Sequence, residues 1–146
     1  MIYSIPDLND PYATYLKDDP VRPHIPHDQR FGSNRKVFAL TEDNDVKAVV
    51  CAKLCSKIPS TEQELLEDST DNPDTAVFYT IWSYAPGAGQ KLIREGLERV
   101  RAELPNVTRF VTLSPTTEMA KRFHLKNGAE IFRVNNDSVN YEYKKP

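Results

Sequence analysis

Ala76-Val77-Phe78-Tyr79-Thr80-Ile81-Trp82 runs straight into Ser83-Tyr84-Ala85-Pro86-Gly87-Ala88-Gly89, and this stretch decides the fold. Its first seven residues are almost continuously apolar and aromatic, the pattern of a strand covered on both faces. The turn that follows opens a helix over 90–104, where Ile93, Leu97, Val100 and Leu104 fall on one face. The other face places Lys91 with Glu95, Arg94 with Glu98 and Glu95 with Arg99 for charge pairing. Pro105 and Asn106 end the helix, and 109–113 form a second strand. Strand, helix and strand make a right-handed parallel unit.

Downstream, Ser114-Pro115 reads as the N-cap and first position of a helix that runs through Lys126. Asn127-Gly128 suits a left-handed stop. Strands at 129–134 and 138–143 follow, joined by Asn135-Asn136-Asp137. Upstream, 36–40 and 46–54 read as a hairpin about a polar turn. An acidic connection follows, with a short helix at 61–67 and the carboxylates Glu62, Glu64, Glu67, Asp68, Asp71 and Asp74. Its default role is a solvated loop, with attraction of a cationic acceptor as the functional alternative. Five of the eleven prolines (Pro6, Pro11, Pro20, Pro23 and Pro26) lie in an irregular segment, 1–34, that holds a short strand at 2–5 and a turn or two of helix at 12–17. The expected class is α/β with a mixed sheet, in a single domain over 1–146. Tyr79 and Trp82 are expected on opposite faces of the central strand.

In the turn itself, Gly87 and Gly89 allow close backbone approach, and the helix start directs free N–H groups at whatever lies before it. The first helical turn carries Gln90 and Lys91 and no acidic residue, so the counter-charge is left to an external anion. A P-loop is excluded because Gln90 follows Gly89, and a dinucleotide fold because Ser114 ends the second strand in place of an acid.

The bulk properties narrow the field further. A net charge of −2 argues against a broad nucleic-acid face. No apolar run is long enough to span a bilayer, and no secretory signal is visible at the N-terminus. Cys51 and Cys55 read as buried free thiols suited to a reducing compartment, so a cytoplasmic location is expected. His24, His27 and Asp28 lack the fixed spacing of a metal site, and no metal is assigned.

Together these residues resemble the GNAT superfamily of N-acetyltransferases. That family opens its helix with Gln/Arg-x-x-Gly-x-Gly/Ala after a buried strand, matched here by Tyr84-x-x-Gly87-x-Gly89. Its second signature, roughly Ala-x-x-Phe-Tyr-x-Lys-x-Gly, is matched by Ala120-Lys121-Arg122-Phe123-His124-Leu125-Lys126-Asn127-Gly128. The resemblance implies a mostly antiparallel sheet with helices on both faces and coenzyme A, supplied as acetyl-CoA, along the central strand and turn. It implies contacts from Ile81, Trp82, Tyr84, Pro86, Gly87, Ala88, Gly89, Gln90 and Lys91. It also implies transfer of an acetyl group to an amine of a small molecule or peptide. Separately, an exposed edge at the C-terminal strands would allow a homodimer.

Three departures stand out: Tyr84 replaces Gln or Arg, the proline-rich N-terminus is poor in acceptor-side helices, and His124 replaces the usual tyrosine. An imidazole that titrates near neutrality would serve as the acid for the leaving thiolate. Leu113-Ser114-Pro115 also resembles the matching turn of malonyl-CoA decarboxylases, whose catalytic domain is built like a GNAT. That likeness implies Ser114 and His124 as an acid/base pair. The leading expectation is an N-acetyltransferase. The alternatives are a decarboxylase-like coenzyme A enzyme and a non-catalytic binding or interaction module.

Overall fold

The computed structural model describes residues 1–67 and 72–144, so Asp68 and Asp71 of the acidic connection lie outside the described residues. Seven strands form one sheet in the order β1 (Ile2–Ile5), β2 (Arg35–Glu42), β3 (Asp45–Cys55), β4 (Thr75–Ser83), β5 (Arg109–Thr112), β7 (Val139–Tyr143) and β6 (Ala129–Val134). Among the described strands β4 and β5 pair in parallel and the other neighbours are antiparallel. Among the described residues three α-helices accompany them: α1 (Glu62–Leu66), α2 (Ala88–Glu103) and α3 (Glu118–Lys126). The sheet is mixed and the fold GNAT-like, as the central stretch implies. None of the helices among the described residues is long and apolar enough to cross a membrane.

Each sheet face carries its own core. Leu92, Ile93, Leu97 and Val100 of α2 press on one face against Phe38, Val50, Phe78 and Phe110. Burying each such side chain contributes roughly 1.5–3 kcal/mol. The opposite face is covered by Leu16, Ile25 and Leu65, from the 3-10 helix Pro11–Asp18, the proline-rich strap and α1. Charges on α2 pair differently from the expected ladder: Lys91 reaches Glu42 on β2 (3.0 Å), and Arg99 pairs with Glu103 (2.7 Å).

Two local expectations are corrected. Cys51 pairs with Thr80 but Ala52 with Phe78, so Tyr79 has no partner on β3 and forms a β-bulge. One inserted residue shifts the alternation by one, which puts Tyr79 and Trp82 in the same core cluster instead of on opposite faces. Ser114 does not cap α3. It forms an isolated bridge with Val139, and the cap is Thr117, whose hydroxyl accepts from the Ala120 N–H (3.2 Å). Pro115 lacks the donor a ladder needs, so the chain leaves the sheet there and turns once more before the helix begins.

Candidate functional site

The parallel ladder of β4 and β5 stops at Phe78 and Thr112, with the last bond from Leu113 N to Phe78 O at 3.1 Å. Beyond it the strands part and α3 lies across the opening. The result is a cleft of about 570 Å³ bounded by β4 from Phe78 to Ser83, by Phe123 and His124 of α3, and by Pro20 and Val21 of the strap. A second hollow of about 480 Å³ adjoins it at Ser83, Gly89 and Phe123, and extends over Tyr84, Pro86 and Gly87 to Lys126 and Asn127.

The turn builds the outer hollow. Gly87 is the N-cap of α2 with φ +77°, a left-handed conformation that glycine adopts without strain. No side chain caps the helix. The Ala88 amide is taken by Ala85 O (3.2 Å), so those of Gly89 and Gln90 are left without helical acceptors. Gly89 answers a different need: a Cβ there would stand 3.3 Å from Phe123 Cε1, so its missing side chain lets α2 and α3 close together.

Of the residues expected along the cofactor path, Ile81, Trp82 and Gly89 line the inner cleft, and Tyr84, Pro86, Gly87, Gly89 and Gln90 the outer hollow. Ala88 is buried in the core. Lys91 points away, held by Glu42, and Lys126 is the cation beside the turn instead. The Tyr84 hydroxyl is engaged by the protein itself: it accepts from Trp82 Nε1 (2.9 Å) and donates to Asp18 Oδ2 (2.8 Å). Burial, with the Asp18 carboxylate adding to it, pushes that phenol up to about 12.

Ser114 and His124 meet at the inner cleft, which both line. Ser114 Oγ lies 3.1 Å from His124 Nε2 and 2.7 Å from Thr112 Oγ1. On the other side of the ring, Nδ1 lies 2.7 Å from the hydroxyl of Tyr143. The imidazole stacks on Tyr141 with ring centres 5.0 Å apart. Burial pushes the His124 pKa down to about 4, so the ring is neutral at pH 7 and the expectation of titration near neutrality is corrected. The Ser114 hydroxyl donates to Thr112 Oγ1, so the tautomer that fits has Nε2–H donating to Ser114 Oγ while Tyr143 donates to Nδ1.

Behind the cleft the proline-rich strap is tied by buried charge. Arg30, fully buried, donates to Asp19 Oδ2 (2.7 Å) and to the carbonyls of Arg22 (2.8 Å) and Ile25 (3.2 Å). Asp19 Oδ1 accepts from Val21 N, Arg22 N and Thr80 Oγ1. Burial works against the Asp19 carboxylate, but hydrogen bonds from Arg22, Arg30 and Thr80 outweigh it and hold its pKa below the ordinary value. Cys51 packs beside Arg30, its thiol pushed up to about 11 by burial, and both cysteines are free. His24 pairs with Glu62 (2.5 Å), and no group of three ligands fit for a metal occurs among the described residues. Sequence reading passed over Phe78, Ile93, Asn127 and Tyr143, each of which looks like ordinary core or cap until the fold brings it to the site.

Residues 32–121 match the family model of the malonyl-CoA decarboxylase C-terminal domain. No curated protein matches the chain. Among solved structures, the chain is similar to malonyl-CoA decarboxylase from Agrobacterium vitis, with 20% identity and a TM-score of 0.85 over 99% of this chain and 60% of that one. It is also similar to the loading GNATL domain of CurA from Lyngbya majuscula, with 12% identity and a TM-score of 0.71 over 99% and 98% of the two chains. For an IAA acetyltransferase from Bacillus cereus the values are 14% and 0.67, over 99% of each chain. These likenesses establish the shared fold, and the chain spans 60% of the length of the Agrobacterium decarboxylase.

Proposed function

Because the chain belongs to the malonyl-CoA decarboxylase C-terminal domain family, we propose that it binds a coenzyme A thioester along the β4–α3 cleft and decarboxylates a malonyl-type acyl group. The observation that carries this reading is the Ser114–His124 pair, 3.1 Å apart, in a cleft with no Lys, Arg, Asp or Glu lining it among the described residues.

The pyrophosphate takes the open amides at the start of α2, with Lys126 beside it. The pantetheine arm runs inward past Ile81 and Phe123, and the acyl group reaches Ser114. An uncharged lining removes water from the acyl carboxylate without pairing it, which favours loss of charge as CO₂. The C–C bond breaks, its electron pair passes to the α-carbon, and an enolate forms on the thioester. The Ser114 hydroxyl donates to the developing charge and delivers a proton to carbon. His124 Nε2–H, with Tyr143 on Nδ1, holds the Ser114 alkoxide until solvent returns its proton. One solvent proton balances malonyl-CoA going to acetyl-CoA and CO₂.

Amine acetylation, the leading expectation from sequence, is supported at the level of fold by the acetyltransferase neighbour. The cleft favours the decarboxylase reading, since no carboxylate lines it among the described residues and His124, the base that does, is held by Ser114 and Tyr143. The experiment is incubation with malonyl-CoA and, separately, with acetyl-CoA and a panel of amines. Release of acetyl-CoA and CO₂ without an amine supports decarboxylation; amine-dependent release of free coenzyme A alone rejects it.

A further inference from the structure

We propose that Arg22 is a positioning residue of the cleft, a brace that sets the gap between β4 and β5 where Ser114 lies. Its guanidinium crosses the point where the strands part: Nε donates to Tyr79 O (3.0 Å) and Nη2 to Leu113 O (2.9 Å). The first carbonyl belongs to the bulge residue that β3 leaves unpaired; the second belongs to the residue just before Ser114. The third arm, Nη1, is held by Glu62 Oε1 (2.7 Å).

A planar guanidinium presents its donors in a rigid fork, so two acceptors bound together are held at a fixed separation. The brace is itself locked, because Asp19 Oδ1 accepts the amides of Val21 (2.8 Å) and Arg22 (2.9 Å) and the same carboxylate binds Thr80 and Arg30. Pro20 and Val21, carried by this turn, form a wall of the cleft. Arg22 is not itself a lining residue. It acts through backbone, fixing Ser114 relative to the β4 surface on which the thioester lies.

The kinetic part of the test rests on the decarboxylase reading; the spectroscopic part does not. The intact chain is compared with Arg22→Met and Arg22→Lys by NMR of the Ser114 amide and the His124 ring nitrogens, with Ser4 on the distant edge strand as reference, and by malonyl-CoA kinetics. The expected result is displaced Ser114 and His124 signals with Ser4 unmoved, and kcat at least about tenfold lower with KM within about threefold. Arg22→Lys, which keeps the charge without the fork, recovers part of both. Unmoved Ser114 and His124 signals in a folded variant overturn the brace. If Arg22→Met does not fold, Arg22→Lys decides by the same signals. A wild type without turnover rejects the decarboxylase reading, and the signals still judge Arg22.

Discussion

His124 Nε2 lies 3.1 Å from Ser114 Oγ, and the two side chains reach each other from different directions, one from the exit of β5 and one from the last turn of α3. The contact depends on Ser114 being bridged to Val139 rather than serving as a helix cap. A cap hydroxyl would be committed to the backbone N–H groups of its own helix. Bridged to β7, the same hydroxyl donates to Thr112 Oγ1 and turns its oxygen to the imidazole.

The buried imidazole makes stability depend on acid in a defined window. Its folded pKa, about 4, lies below the ordinary 6.5, so the unfolded chain takes up the proton first. Stability present above pH 6.5 is therefore lost as pH falls towards 4, by roughly 3 kcal/mol from this group. Urea unfolding across that range checks it, with His124→Gln expected to flatten the slope. An equal slope in both proteins contradicts a neutral buried His124. Turnover, by the same reasoning, shows no midpoint near 6.5 from this residue.

Gly89 is predicted to matter first for packing. Gly89→Val brings side-chain atoms into the ring of Phe123, a Cβ alone standing at 3.3 Å, and overpacking of this kind costs about 2 kcal/mol. Thermal unfolding should show the loss, and Phe123→Leu in the same chain should recover part of it. Gly89→Val with unaltered stability and abolished coenzyme A binding would return the residue to a purely ligand-facing role.

The cation beside the turn is Lys126, whereas Lys91 is tied to Glu42. Calorimetric titration with coenzyme A should show Lys126→Ala weakening affinity about five- to tenfold, as expected for one exposed phosphate contact. Lys91→Ala should leave it within about twofold. The reverse order would place the phosphates on the other side of the turn.

Where signals are local, the sequence is legible. The apolar run 76–82, the glycine turn and the 3.6-residue period of α2 each specify their element within a few neighbours, and the strand–helix–strand unit follows. The bulge at Tyr79 escapes such reading because β4 is buried on both faces, so a slip in alternation changes no hydrophobic pattern. Ser114-Pro115 is ambiguous by nature, fitting a helix start and a strand exit equally. Thr117 followed by the acidic Glu118 was the better cap signal. The Asp19–Arg30 pair and the reach of Arg22 to Tyr79 and Leu113 join residues 11, 57 and 91 positions apart, and no spacing rule announces them. The lowered pKa of His124 is likewise a product of burial alone, which only the folded chain supplies.

The most direct test is a ¹⁴CO₂-release assay on carboxyl-labelled malonyl-CoA, comparing the wild type with Ser114→Ala. The predicted result is enzyme-dependent release of label with acetyl-CoA as the product, falling about 10²- to 10⁴-fold in the variant, as loss of an acid/base group does, while coenzyme A still binds. Equal release by both proteins would contradict the role of Ser114, and no release by a folded wild type that binds malonyl-CoA would contradict the decarboxylation itself.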